Sequence, residues 1–226
     1  MLRADFHVHT KFSADSMFSI PNLIKTCQKM RINCVAIMDH NSIEGALQVR
    51  DTAPFKVIIG EEIRALEGEV CGLFLTENVP PDLPLEQTFK IIKDQGGLVY
   101  LPHPFSFFRR EAISREKLYK LYEQVDIVEA YNGRNFLAFE NGRAVRFAME
   151  KGIPAGAGSD AHHNSEIGNI YVEMEDFSSK EELLANLKKG KIFLAPYSRR
   201  IGSFMIEASL FLSWIKIVNF FRGERT

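Results

Sequence analysis

Short apolar runs that end in histidine or carboxylate recur along this chain, and no other feature narrows its fold as far. Val35-Ala36-Ile37-Met38 runs into Asp39-His40, Val57-Ile58-Ile59-Gly60 into Glu61-Glu62, and Leu98-Val99-Tyr100-Leu101 into Pro102-His103. Residues 154–158 run into Ser159-Asp160-Ala161-His162, and Ile127-Val128-Glu129-Ala130 reads as a further strand. Helical stretches lie between these runs. One starts at Pro21, a residue tolerated in the first turn because its missing N–H would be unpaired there anyway. Another reaches about Asp51, and Asn41 with Glu44 has the spacing of a capping box for it. Leu85 to Asp94, a stretch capped by Ser114, Phe139 to Lys151, and a stretch capped by Ser178 with Glu181 complete the set. Strand–helix alternation predicts parallel strands joined by right-handed crossovers, hence an α/β sheet or barrel. Ile63 to Leu75 breaks the rhythm, because Glu67-Gly68 between two apolar runs reads as the turn of an inserted antiparallel hairpin.

Closed α/β barrels gather their active sites at the C-terminal ends of the strands. His9, Asp39-His40, Glu62, His103 and Asp160 with His162 all sit at such ends. In the opening stretch Asp5-Phe6-His7-Val8-His9, strand alternation predicts Asp5, His7 and His9 on one face, with the two histidines about 7 Å apart along the chain. Of the six histidines, five fall at predicted strand ends and His163 follows the last, whereas scattered histidines would also occupy helices. Imidazole and carboxylate together suit zinc, manganese or iron, and a carboxylate can bridge two ions. Five histidines with Asp15, Glu62 and Asp160 exceed what one ion uses, so two or three divalent metal ions are expected.

Composition bounds the rest. With 226 residues, 46% of them hydrophobic, the chain has the size of one barrel, and a single domain is expected. A net charge of −1 offers no general attraction to nucleic acid or an anionic membrane, so any anion must be caught locally. Cys27, Cys34 and Cys71 are odd in number and lack a C-x-x-C spacing, and the chain opens without a signal-peptide pattern, which together predict a cytoplasmic protein. Residues 204–221 are mostly apolar, but Glu207, Ser209, Ser213, Lys216 and Asn219 interrupt them too often for a stable membrane span. An amphipathic C-terminal helix packed on the barrel or on a second subunit is the preferred account. The expected division is therefore a barrel over 1–196 and an extension over 197–226, with the latter as a route to homo-oligomers.

Five motifs in order, Asp5-x-His7-x-His9-Thr10, Met38-Asp39-His40-Asn41, Gly60-x-Glu62, Pro102-His103-Pro104 and Gly158-Ser159-Asp160-Ala161-His162, resemble those of the polymerase and histidinol phosphatase (PHP) family of metal-dependent phosphoesterases. The resemblance spans about residues 4 to 195. It implies a distorted (β/α)7 TIM-like barrel with a multinuclear centre at its mouth. Carried over, His7, His9, Glu62 and Asp160 hold a first ion; Glu62 bridges to a second with His103; Asp15, His40 and His162 hold a third. Asp5 and Asp39 become carboxylates that orient the imidazoles through their free N–H groups. Asp15 stands where several members have histidine. Family members with three ions add a histidine or cysteine to the second ion from beyond the His103 strand, and 127–141 contains neither. Cys71 is the nearest soft ligand by type but reads as a small packing residue.

The implied chemistry is hydrolysis of a phosphate ester by a metal-bridging hydroxide, with no protein nucleophile. A phosphomonoesterase acting on a small phosphorylated metabolite, such as a nucleotide or histidinol phosphate, is expected first. Alternatives are a 3′,5′-nucleoside bisphosphate phosphatase or 5′-3′ exonuclease on short nucleic acid, for which Phe105, Phe107 and Phe108 beside Arg109 and Arg110 could stack bases, and a non-catalytic metal-binding module. The amidohydrolase barrel ranks last, because no bridging lysine follows the strands ending at Glu62 or His103. Arg134 is the first candidate to grip phosphate; Lys11, Arg64, Arg109 and Arg199 read better as solvated surface charges.

Overall fold

The computed structural model describes residues 1–107, 109, 112–135 and 137–195. Within these residues nine strands form one sheet in the order β7-β6-β5-β4-β3-β2-β1-β8-β9. β1 (Leu2–Val8), β2 (Cys34–Ile37) and β3 (Lys56–Ala65) are parallel, as are β5 (Leu98–Leu101), β6 (Ile127–Asn132) and β7 (Ala155–Gly158). Helices α1 (Ile20–Met30), α2 (Glu44–Thr52), α3 (Leu85–Asp94), α4 (Arg115–Leu121) and α5 (Ala138–Lys151) lie in the connections. The expected hairpin is present, but its second strand, β4 (Gly68–Leu73), is a full stave of the barrel, antiparallel to both β3 and β5.

The sheet curls until the chain beyond β7 meets β1. There His9 N donates to Ala161 O at 2.9 Å, and Asp160 N donates to His7 O at 2.7 Å. The N-terminal half of the same β1 edge is taken by antiparallel β8 (Ile170–Met174), which carries β9 (Lys191–Leu194). The result is a nearly closed, distorted barrel. Its interior is lined by Ala4, Phe6, Ala36, Met38, Ile58, Leu73, Tyr100 and Ala157, with Leu183 and Leu187 of α6 (Lys180–Leu187) in the same cluster. Outside, α1 and α2 pack on β1–β3, and α3, α4 and α5 pack on β3–β6.

Local sequence explains most boundaries. α1 has Pro21 in its first turn and ends at Arg31, whose φ of 59° is left-handed. Ser114 and Ser179 cap α4 and α6 through their side chains. The Asn41–Glu44 capping box does not form. Asn41 adopts φ 52° and its carboxamide accepts from Arg64 N, while Ile43 N, before α2, is received by Asn78.

The expected C-terminal helix over 204–221, the 197–226 extension, Arg199, Phe108 and Arg110 lie outside the described residues. Among the described residues, no helix is long and apolar enough to cross a membrane.

Candidate metal centre

The eight predicted ligands converge at the mouth. The β1–β2 register shifts between Asp5 and Val8. Phe6 therefore packs in the interior, stacked on Tyr100, while the next residue, His7, also turns inward against Glu129. Strict alternation fails here, and Asp5 does not share a face with His7 and His9 as expected. Two of the predicted ligands sit on strained backbone: His103 (φ 28°) and Asp160 (φ 55°) adopt left-handed conformations just past β5 and β7, a cost that recurs at functional sites. Gly158 allows β7 to approach β1 closely, since a Cβ there would collide with the His7 side chain.

His7 Nε2 and His9 Nε2 face each other at 3.1 Å. Glu62 Oε2 lies 3.3 and 3.4 Å from them, and Asp160 Oδ1 lies 3.7 and 3.3 Å away. All four side chains are fully buried. The other ring nitrogens set the tautomers. His7 Nδ1 has Glu129 Oε1 at 3.0 Å as its acceptor. His9 Nδ1 has Ser13 Oγ at 2.9 Å, and that hydroxyl donates to Asp39 Oδ1. With Nδ1 protonated on both rings, two nitrogen lone pairs and two carboxylate oxygens point at one another. Asp160 Oδ1 is buried without a hydrogen-bond partner. A divalent cation fits this donor set; four converging acceptors without one repel.

Glu62 reaches a second group through its other oxygen, since His103 Nε2 is 2.9 Å from Glu62 Oε1. A third group forms where Asp15 Oδ2 lies 3.1 Å from His162 Nε2 and 3.5 Å from His40 Nε2. His40 Nδ1 is 3.4 Å from Glu62 Oε2, so the groups are contiguous.

The electrostatics follow. Burial alone would lower His7 and His9, but carboxylates outweigh it and raise both, with Asp160, Glu129 and Glu62 holding His7 well above its usual value. Burial would raise Glu62 and Asp160, yet the imidazoles around Glu62, and Arg109 with His7 around Asp160, hold both well below the carboxylate range. His162 is pushed down to about 4 by burial and by the charge of His9.

The two orienting carboxylates act differently from expectation. Asp5 accepts from Ser159 N and Oγ and from His7 N, bracing the β1–β7 junction rather than an imidazole ring. Asp39 reaches His9 only through Ser13 and otherwise receives Thr10 N and Oγ1. The residue on the His7 ring is Glu129, which also accepts from Tyr100 Oη, His103 N and Asn132 Nδ2. Its signal was a glutamate in an otherwise apolar strand. Glu69 was missed as well; burial and Glu62 push its carboxyl up to about 7.

Among the cations, Arg134 Nη1 lies 2.7 Å from His162 Nδ1 and its Nε 3.7 Å from Glu166. Arg109, read from sequence as a surface charge, pairs instead with buried Asp160. Lys11 lies over Phe12, and Arg64 pairs with Asp82 at the surface. Cys71 sits in the barrel interior.

Comparison with known proteins gives two family matches, the PHP domain over residues 5–138 and a PHP-associated region over 138–192. Uncharacterized protein MJ0417 of Methanocaldococcus jannaschii is 35% identical over 201 residues, covering 84% of this chain and 80% of that protein. Uncharacterized protein MJ1587 of the same organism is 41% identical over 118 residues, covering 46% of this chain and 69% of that one. Among solved structures, PsfC from Pseudomonas syringae superposes with a TM-score of 0.69 at 15% identity, covering 93% of this chain and all of that chain. A Bifidobacterium adolescentis protein, provisionally described as a metal-dependent phosphoesterase, gives a TM-score of 0.59 at 16% identity, covering 71% and 88%. An amidohydrolase from Chromobacterium violaceum gives 0.58 at 15%, covering 70% and 87%. At these identities the structures share the fold.

Proposed function

This chain belongs to the PHP domain family, and from that premise we propose that it is a metal-dependent phosphomonoesterase acting on a small phosphorylated metabolite, such as a nucleotide or histidinol phosphate. The family supports a metal-dependent hydrolase; the phosphomonoester is our narrower reading. The observation that carries it is the meeting of His7 Nε2, His9 Nε2, Glu62 Oε2 and the unpartnered Asp160 Oδ1 at one buried point beside two guanidinium groups.

His7, His9, Glu62 and Asp160 would hold one divalent ion, with Glu62 shared toward His103, and Asp15, His40 and His162 forming the outer group. Bound divalent ions supply Lewis acidity and a water of lowered pKa. Glu129 and Ser13 keep the His7 and His9 rings oriented, with their Nε2 lone pairs inward. Arg109 and Arg134, beside Asp160 and His162, bring the positive charge that a phosphate dianion needs. Ser13 is committed to Asp39 and Cys71 lies in the core, so neither is placed to act as a nucleophile.

The test is phosphate release by the purified protein under manganese or zinc, from mononucleotides and histidinol phosphate, with His9→Ala as control. Release by the wild type and not by His9→Ala supports the reading; a metal-loaded wild type releasing none overturns it. Arg134→Ala should raise KM, and unchanged KM and kcat would remove Arg134 from the substrate site. A second reading, a bisphosphate phosphatase or exonuclease, is favoured by Phe107, 70% exposed two residues from Arg109. Shortening of a labelled oligonucleotide in the same screen would select it.

A further inference from the structure

Glu69 is a buried carboxylate with no hydrogen bond among the described residues. β4 runs against its neighbours, so its first residues lie level with the C-terminal ends of the parallel strands. Cys71 is paired with Glu62 across the hairpin, and Glu69 follows two residues away on the same face. The side chain is about as buried as the ligands around it, yet neither oxygen accepts a hydrogen bond from any described residue. Its neighbours are ligands: Oε2 is 3.8 Å from His103 Nε2, and Oε1 is 3.9 Å from His40 Nδ1. With His40 and Glu62 it forms a group whose donor atoms all lie within 4.8 Å of one another. A carboxylate in such a place is costly unless it is coordinated.

The second observation is a deficit beside it. Glu62 Oε1 and His103 Nε2 bring two protein donors to the second ion, and the stretch 127–141 contains no histidine or cysteine to add a third. Cys71, the nearby thiol, is packed with Leu73 and Tyr100 in the barrel interior.

We propose that Glu69 is the third protein ligand of the ion held by Glu62 and His103, replacing a soft or imidazole donor with a hard one. Metal–ligand bonds of about 2.0–2.2 Å place adjacent donors roughly 3–3.5 Å apart, a spacing that the Glu69 carboxylate reaches from its present distance by a small rotation. Two carboxylates and one imidazole make an oxygen-rich site, which takes Mn(II) more readily than a site with imidazole or thiolate in that place would. This inference rests on the metal-dependent reading above, and not on its substrate.

The experiment strips the full chain with chelator, titrates it with Mn(II) alone, and counts retained ions by calorimetry and elemental analysis. Glu69→Gln, almost the same shape, and Glu69→Ala should each bind one Mn(II) fewer per chain than the wild type. Glu69→His should restore the count and shift that site's preference from Mn(II) toward Zn(II). Cys71→Ser should leave the count unchanged. An undiminished count in both Glu69→Gln and Glu69→Ala overturns the proposal while leaving the metal-dependent reading intact; so does a lost ion in Cys71→Ser. A wild type that binds no Mn(II) or Zn(II) overturns both.

Discussion

Glu61 and Glu62 are neighbours on β3, both fully buried, yet they belong to two different regions of the molecule. Glu62 faces the barrel mouth, where His7, His9, His40 and His103 surround its two oxygens. Glu61 faces the layer outside the sheet, where one backbone donor, Val79 N, meets Oε2 at 2.8 Å and Oε1 has no partner. Desolvation is the largest cause acting on both. At Glu61 it wins, and the carboxyl is pushed up to about 7; at Glu62 the imidazoles win, and the carboxyl falls well below its usual value. Burial therefore does not identify a functional carboxylate in this protein. The company it keeps does, because only at the mouth do acceptors and imidazoles gather around a shared point.

The sharpest way to break this comparison is to neutralise the inner residue. Glu62→Gln should lower Mn(II) affinity and phosphate release by well over the about 100-fold that losing an outer-sphere partner costs, because one side chain serves two groups of donors. Calorimetry and a phosphate assay read this out; a variant within tenfold of the wild type would remove Glu62 from the centre. The next effect in size concerns Glu129, which holds the His7 ring without facing the shared point. Glu129→Gln keeps the shape but weakens the hydrogen bond to Nδ1, and metal affinity should fall about 10- to 100-fold. An unchanged affinity would mean that packing alone orients His7.

How much of this was legible in the sequence follows from the same geometry. His7, His9, His40, Glu62, His103, Asp160 and His162 could be gathered because parallel strands deliver their C-terminal ends to one mouth. Glu69 escaped that rule, since it begins an antiparallel strand whose N-terminal end reaches the same place. Glu129 was hidden in the apolar run Ile127-Val128-Glu129-Ala130, which reads as a strand whichever way its glutamate points. Asp5 was misplaced because a register shift between Asp5 and Val8 is invisible to a period-two pattern. Arg109 could not be separated from other loop arginines, because only the fold sets it against Asp160. The alternation of elements and the inserted hairpin were readable, whereas the bulge in β1 and the place of the hairpin's second strand as a stave of the barrel were not.

The outer residue gives the smallest effect on function and the cleanest control. Glu61→Gln should leave Mn(II) binding and phosphate release unchanged, since nothing at the mouth touches its side chain. Its signature is in stability against pH. The carboxyl has a folded-state pKa of about 7 against 4.5 when free, so the native state holds its proton more tightly than the unfolded chain does. Stability of the wild type therefore falls as pH rises from about 4.5 to about 7 through this group, and levels off above. Glutamine has nothing to titrate, and its carbonyl can still accept from Val79 N. The stability of Glu61→Gln relative to wild type should thus grow by about 2–3 kcal/mol across that window, read from urea unfolding at pH 5 and pH 8. A difference that stays flat would show that Glu61 is ionised in the fold at little cost, and that the two faces of β3 treat their carboxylates alike.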